Sequence, residues 1–521
     1  MNNTGLRVIG LSFIICHLSF SGVAAQDEGQ YRYDDATQLW RLTGNAAGLG
    51  IDLSRNRGFA EFQGEHREGD YHRVQEGGQR NQLRFNTERY QNVGQWLVGY
   101  GRFTFDMDRT KDRAWCDVMR PYDSDPFFPG SSVKGSYDTQ RFDLSAALAT
   151  RPIPLASDGA DRELNVGMRL DYKVGDLSRL RDPRSRSELL DYKIAPAVAY
   201  TFGRSTVGLA GHYNRRKEKI PNITTVQQDP NLVYYQMTGL GEASGLVGGY
   251  SGYQREWVNH ELGAELNFGY KGNFQTVNAI GIARGVEDIW GQYKYSPGRY
   301  TSYIYKAASH NVFKKQNGNK AKLHQLDFEA NAQQGYGDEY RQQLIQEKDP
   351  ERGYTSYRYE KQMEYKKRVQ VTTYDVSLRY RYSQCTDRLL RGYLGAKADL
   401  LGATNKHLLP DSKLDCQRIN LSVEAGNSLF NDHLFFDAVV TYSHAAKADL
   451  SLADATTDYA SQVLLPDMQY YNADYRRGQL SVKYLFPLME STAYIKGYVD
   501  VIKAQHSLSQ KTFGVTIGIF N

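Results

Sequence analysis

Apolar and polar residues along this chain alternate with period two. Leu164, Val166, Met168, Leu170 and Tyr172 alternate with Asn165, Gly167, Arg169 and Asp171. The same pattern returns in Leu262–Tyr270, Val376–Tyr382, Ile419–Ala425 and Ala493–Val501. Successive strand side chains face opposite sides, so each segment has one apolar and one charged face. A soluble antiparallel sandwich would give the same alternation. Three features favour a membrane barrel. The segments run about 10–15 residues, longer than ordinary soluble strands. Aromatics such as Tyr192, Tyr200, Phe202, Tyr270, Tyr484 and Phe486 stand near their ends. Connections alternate between short and long.

The pattern predicts an all-β fold: an antiparallel transmembrane β-barrel of about 18 strands, within a range of 14–18. Strands are expected near 57–67, 80–90, 95–107, 136–150, 163–174, 190–202, 206–218, 256–268 and 272–284. The remainder are expected near 300–314, 320–334, 368–382, 388–403, 413–427, 432–446, 475–486, 490–504 and 510–520. Tight links such as 203–205 and 269–273 belong to the periplasmic side. Long polar connections at 108–135, 219–255, 335–366 and 447–474 belong outside. An even strand number puts both barrel ends in the periplasm.

Composition fits. The 521 residues hold 39 Tyr and 48 Gly but only 14 Pro, and the mean hydropathy is −0.61. Beyond the N-terminus no apolar run approaches the ~20 residues of a spanning helix. A barrel tolerates such polarity because only alternate residues meet lipid. The 64 basic residues nearly balance the 59 acidic ones, for a net charge of +5. No basic, aromatic-interleaved track suggests nucleic acid.

Residues 1–25 read as a cleavable signal peptide: Arg7, an apolar Val8–Phe20 and a Val23-Ala24-Ala25 cleavage site. Cys16 lacks the small preceding residues of a lipidation site, since Ile14 and Ile15 stand there. Residues 26–56 are expected as a periplasmic N-terminal segment, acting as linker or plug, before a barrel over 57–521. Export is expected to leave Cys116, Cys385 and Cys416, an odd set that excludes a disulfide framework. Cys116 in a long outer loop and Cys416 at the outer end of a strand suggest one disulfide tethering that loop.

Three local similarities bear on this fold. Asn45-Ala-Ala-Gly-Leu49 resembles the Asn-Pro-Ala-Gly-Leu hatch element of fatty-acid-transport-type barrels, with Ala46 in place of Pro. That implies an N-terminal segment plugging the pore. Phe513–Asn521 resembles the C-terminal insertion signal of bacterial outer-membrane barrels, although Phe520 is one place off the register of Val515, Ile517 and Ile519. Trp115–Phe142, with Arg120-Pro-Tyr122, Asp125–Val133 and Gly135-Ser-Tyr137, resembles an uncharacterised family of Bacteroidetes-type outer-membrane barrels. Members of that family often sit beside TonB-dependent receptors and surface lipoproteins. The resemblance implies location and fold, with no activity to carry over.

No Gly-x-Ser-x-Gly, His-Glu-x-x-His or Cys-x-x-Cys occurs, and the histidines, His407 among them, are scattered. No enzymatic activity, catalytic residue, metal ligand or cofactor is expected. Charged strand positions are expected to face the lumen: Arg169, Asp171, Lys173, Glu261, Glu265, Asp375, Arg379, Arg381, Arg418, Glu424, Lys483, Lys496 and Asp500. Charges in hydrocarbon cost several kcal/mol each, so this face must be wet or paired. It reads either as a salt-bridged, plugged interior or as a polar conduit. Near equality of signs argues against a strongly ion-selective pore. Tyr234, Tyr235, Tyr354, Tyr357, Tyr359, Tyr470 and Tyr471 are loop-contact candidates, the alternative being girdle tyrosines. The expected function is a channel or accessory component in uptake of a polar nutrient or chelate. A closed barrel docking a surface lipoprotein or receptor is the alternative. Outer-membrane lipids are expected partners, with a TonB-dependent receptor or surface lipoprotein as the protein partner.

Overall fold

The structure is a computed structural model and describes residues 28–53, 55–155, 161–226, 232–247, 253–351 and 353–520. The signal peptide expected over 1–25 lies outside them. Eighteen strands form the wall: β1 Arg57–Gly69, β2 Gln79–Val93, β3 Leu97–Arg113, β4 Gly135–Thr150, β5 Arg162–Arg179 and β6 Arg184–Phe202. Then come β7 Ser205–Ile220, β8 Arg255–Lys271, β9 Phe274–Gly291, β10 Gly298–Asn317, β11 Lys320–Lys348 and β12 Thr355–Thr386. The last six are β13 Leu389–His407, β14 Ser412–Leu429, β15 Leu434–Ser451, β16 Tyr475–Leu488, β17 Ser491–Ala504 and β18 Ser509–Phe520. Each pairs antiparallel with the next. The last returns to the first, with Phe59 opposite Phe520 and Gly64 opposite Val515, so the cylinder is closed and has no free edge.

Each of the eighteen predicted segments falls on one of these strands. Several inter-strand links at one end are two residues long. Asp387 and Arg388 both take positive φ, 53° and 63°, which matches the right-handed twist of the strands they join. Long connections gather at the other end. Outward positions carry apolar side chains all round the barrel, among them Met168, Leu262, Ile280, Val440 and Ile517, each more than half exposed. An apolar belt of that extent is the surface of a bilayer-spanning barrel.

One expected loop is strand instead. Over 335–366, β11 and β12 continue to pair as far as Lys348 opposite Thr355. β10 stops pairing with β11 at Glu339, and β13 stops pairing with β12 at Val369. Beyond those points the two strands pair only with each other and form a two-stranded arm, whose Tyr357 and Tyr359 pack on Tyr293 and Tyr295 of the neighbouring connection. Period-two patterning is lost there because neither face of the arm meets lipid.

Residues 28–53 fold as helix α1 (Glu28–Thr37), a 3-10 turn (Leu39–Leu42) and helix α2 (Gly48–Asp52). Glu28 pairs with Arg32 one turn on, at 2.8 Å, and its charge suits the helix N-terminus. Tyr31 donates to Glu88 of β2, Arg32 binds Asp437 of β15, and Lys483 of β16 binds Glu28. Asn45 reaches Val198 of β6 and Asn267 of β8, Lys314 of β10 donates to Tyr33, and Gln325 of β11 donates to the Ala36 carbonyl. A segment touching strands on all sides of a closed cylinder lies inside it. The wall residues it touches stand near the short-turn ends of their strands, so the segment occupies that end of the lumen.

Candidate functional site

The wall makes room for the N-terminal segment where it must pass closest. A Cβ on Gly167 would sit 2.4 Å from the Ala47 backbone nitrogen, and one on Gly208 would sit 2.5 Å from Asn45 Nδ2. The small wall residues Ala147, Ala197, Ala199 and Ala210 then pack on Ala46 and Ala47. The Asn45-Ala-Ala-Gly-Leu49 element is therefore the part seated against the wall. Asn45 Oδ1 accepts from the Ala47 amide at 3.0 Å, fixing the turn into α2, and its Nδ2 donates to Asn267 Oδ1 at 3.0 Å. Glu265 accepts from the Gly44 amide at 2.8 Å.

Arg57, the first residue of β1, is fully buried between the Tyr31 and Tyr90 rings, 4.6 and 4.7 Å from their centroids. It pairs with Asp35 at 3.1 Å. Phe520 is 3% exposed and packs on Tyr31 and Tyr494. This explains its offset from the outward Val515 and Ile517: the terminal aromatic turns inward onto the plug rather than toward lipid.

The long-loop end is closed as well. Residues 114–134 cross the mouth. Trp115, Cys116, Asp117 and Phe127 are all buried. The Phe127 carbonyl accepts from Trp257 of β8 at 2.7 Å, the Met119 amide donates to Glu218 of β7 at 2.7 Å, and Gln333 of β11 donates to Ser124 at 2.7 Å. Helix α3 (Leu465–Asn472), on the β15–β16 connection, meets this loop: Tyr122 donates to Asp467, which also accepts from the Val74 amide at 2.8 Å. A hairpin of strands Val233–Gly239 and Glu242–Val247 covers the same side, with Tyr235 4.5 Å from Trp115. Arg120, Tyr122, Asp125 and Phe127, picked out in the sequence passage 115–142, thus form the lid. Asp125 lies against Glu287 in a buried carboxyl pair, and burial together with that neighbour raises its pKa well above the ordinary carboxylate range.

Among the described residues, several polar cavities remain in the lumen, and two of them are lined mainly by charged side chains. One, of about 330 Å³, lies on the plug. Arg32, Arg41, Arg379 and Arg381 line it against Asp35, Asp327, Glu329 and Asp437. The other, of about 360 Å³, carries Arg84, Arg102, Arg169, Lys173 and Lys193 against Asp106, Asp143, Asp171 and Asp191. Four cations face four anions in the first and five face four in the second. Both volumes are at the small end of the range for small-molecule sites.

The charged positions singled out from the sequence are distributed through this interior. Arg169, Asp171 and Lys173 line the second cavity. Arg379 and Arg381 both bind Glu424 at 2.8 Å. Glu261 pairs with His212 at 3.1 Å, Asp375 accepts from Asn331 at 2.9 Å, and Asp500 pairs with Arg477. Lys483 holds Glu28 of the plug at 2.7 Å, and Lys496 stands opposite it in register. Arg418 instead serves the lid: its guanidinium donates to the carbonyls of Tyr470, Tyr471 and Ala473.

Two expectations are corrected. Cys116 and Cys416 are free thiols, and no bridge joins them. Cys116 is instead buried beside Arg113 in the lid, and Cys416 stays in the β14 ladder opposite Ala403. Of the loop tyrosines, Tyr234 is fully buried, Tyr235 packs on Trp115, Tyr470 stacks on Tyr71, and Tyr471 accepts from Arg73. These four fasten the lid, because their rings are what the loops have available to bury. Tyr354 and Tyr357 are exposed on the arm, and Tyr359 packs on Tyr295.

The chain matches, over residues 46–521, the model of a family described as a family of unknown function (DUF6850). No curated protein matches it. Among solved structures it is similar to the outer membrane transporter YddB from Escherichia coli, at 9% identity and TM-score 0.40, over 90% of this chain and 81% of that one. The ferric yersiniabactin uptake receptor FyuA from Yersinia pestis gives 9% identity and TM-score 0.41, over 90% and 80%. A Pseudomonas aeruginosa FadL homologue gives 10% identity and TM-score 0.30, over 91% and 92%.

Proposed function

For a chain that belongs to the DUF6850 family of unknown function, we propose a role read from its own geometry: an outer-membrane barrel for uptake of a small polar nutrient or chelate, closed at rest by plug and lid. The observation that carries this reading is the pair of charge-balanced cavities held in the lumen between two removable closures. A barrel needed only as a scaffold could fill its interior with apolar side chains. Here the wall keeps charged groups facing enclosed space, where they suit a solute that exchanges its hydration for paired donors and acceptors. Nearly equal signs suit a neutral or zwitterionic solute better than a simple ion. The plug seats on the wall through ion pairs and hydrogen bonds, which a change of state can exchange for water, together with apolar contacts of Tyr33, Leu39 and Trp40 on Val277, Val312 and Leu323. No covalent chemistry is assigned to the barrel.

Planar-bilayer recording tests this. The full chain should be nearly silent, and a variant that lacks residues 28–53 and has lid residues 115–133 replaced by a short Gly-containing turn should pass small sugars and zwitterions. A folded barrel opened at both ends in this way but without solute-sized currents would overturn the uptake reading.

The projecting arm of β11 and β12 supports a second role. Two-stranded hairpins are marginal alone, and this one carries exposed Tyr354, Tyr357 and Met363 beyond the rim. It suits docking to a surface lipoprotein or TonB-dependent receptor. Co-purification of such a partner, lost when 341–366 is deleted, is the corresponding test.

A further inference from the structure

We infer that Glu242, Glu339 and His407 form a site for one divalent transition-metal ion of the zinc class, which fastens the lid hairpin to the barrel rim. The three residues come from separate elements: the lid hairpin, β11 and the end of β13. One ligand atom from each lies within 4.8 Å of the others. Histidine with two carboxylates is a donor set that zinc-class ions accept.

His407 supplies the independent sign of a ligand. Its ring is fully buried, and neither Nδ1 nor Nε2 has a hydrogen-bond partner. Leaving a buried polar group unpaired is costly, and native interiors seldom do so. Nδ1 lies 3.8 Å from Glu242 Oε1. That is too long for a hydrogen bond, but near the roughly 3.4 Å between two ligands on one tetrahedral ion. The ring cannot easily turn away, since a Cβ on Gly239 of the hairpin would already meet it at 2.7 Å.

Arg368 orients the two carboxylates. It donates to Glu339 and, at 3.2 Å, to Glu242 Oε1, while the Leu408 and Leu409 carbonyls hold the rest of its guanidinium. Arg341 also reaches Glu339 Oε1, at 3.3 Å. Each carboxylate has about four lone-pair sites, so the ion shares these groups with the arginines. Hydrogen-bonded outer partners of this kind are usual around ligating side chains. Binding would join a loop element to two wall strands, so its consequence is mechanical: the hairpin opens less often when the ion is present. The inference does not depend on whether the lumen conducts.

The test uses the full barrel in detergent, stripped with chelator and titrated with Zn²⁺ by calorimetry, with Co²⁺ absorption reporting coordination. One stoichiometric site is expected, with Co²⁺ bands of a low-coordinate nitrogen–oxygen site, and hydrogen exchange in 233–247 should slow on metal addition. His407→Ala and Glu242→Gln should abolish that site and the slowing, while His444→Ala should retain both. Glu242→Gln lies on the lid, so it reads binding even if the His407 variant fails to fold. Absence of a stoichiometric site in the wild type, or an unchanged site in folded Glu242→Gln, would overturn the proposal.

Discussion

The guanidinium of Arg32 grips the carboxylate of Asp437 through two parallel hydrogen bonds of 2.8 Å each, joining plug helix α1 to wall strand β15. Bidentate pairs of this geometry are directional as well as charged. Asp437 also accepts from Tyr393 at 2.8 Å, so its position does not depend on the plug. Asp437→Asn should therefore weaken plug seating by about 2 kcal/mol while leaving the wall intact. Hydrogen exchange in 28–37 should rise well above the wild type, with exchange in β14 and β15 unchanged. Equal exchange in the two proteins would show that this bond does not hold the plug.

Gly167 tests the seating of α2 in a different way. Any side chain there meets the Ala47 backbone rather than a movable side-chain tip. Gly167→Val should push 45–52 off the wall, yet valine suits a strand and the β4–β5 ladder can remain. Hydrogen exchange in 45–52 should rise well above the wild type. A folded Gly167→Val barrel with wild-type exchange there would mean that α2 is not seated on this wall position.

The wall was legible in the sequence, the plug only through the Asn45-Ala-Ala-Gly-Leu49 resemblance, and the lid was not. Lipid on one side and charge on the other impose strict alternation, so Val166, Met168 and Leu170 announce their strand. The plug gives no such signal. Inside a polar lumen it buries Glu28, Asp34 and Arg57 by pairing them, and a paired charge reads in sequence as a solvated one. The lid tyrosines misled for a related reason, since Tyr234 and Tyr471 lie in polar loops but are buried by other loops. Glu242, Glu339 and His407 are 97 and 68 residues apart along the chain (339 − 242 and 407 − 339), with no motif spacing. Only the fold brings them together.

The arm should be separable from the barrel. Wall pairing on either side ends at Glu339 and Val369, so residues 341–366 contribute nothing to closure of the cylinder. Replacing them with a short Gly-containing turn should leave the barrel folded, with unchanged heat-modifiable migration on gels. The conductance of the barrel opened at both plug and lid should also persist. Loss of the folded band would show that the arm is needed for assembly.

Plug and lid should respond to pH in opposite senses. Asp467 is nearly fully buried, and burial lifts its pKa from an ordinary 3.8 to about 6, against the opposing pull of its hydrogen bonds from Tyr122 and the Val74 amide. A carboxyl whose pKa is raised by folding stabilises the folded lid below pH 4. That contribution falls away as pH climbs through about 6. For Glu28 burial alone would raise the pKa, but Lys483 and Arg32 bring it down to about 2. Its contribution is present above pH 4.5 and fades as pH falls toward 2. Moving from pH 7 to pH 5 should thus tighten the lid, by about 1 kcal/mol, and leave the plug bonds as they were. Exchange rates corrected for intrinsic pH dependence should slow in 459–473 but not in 28–37. Asp467→Asn should remove the lid response alone. A lid response that survives in Asp467→Asn would assign the titration to another group.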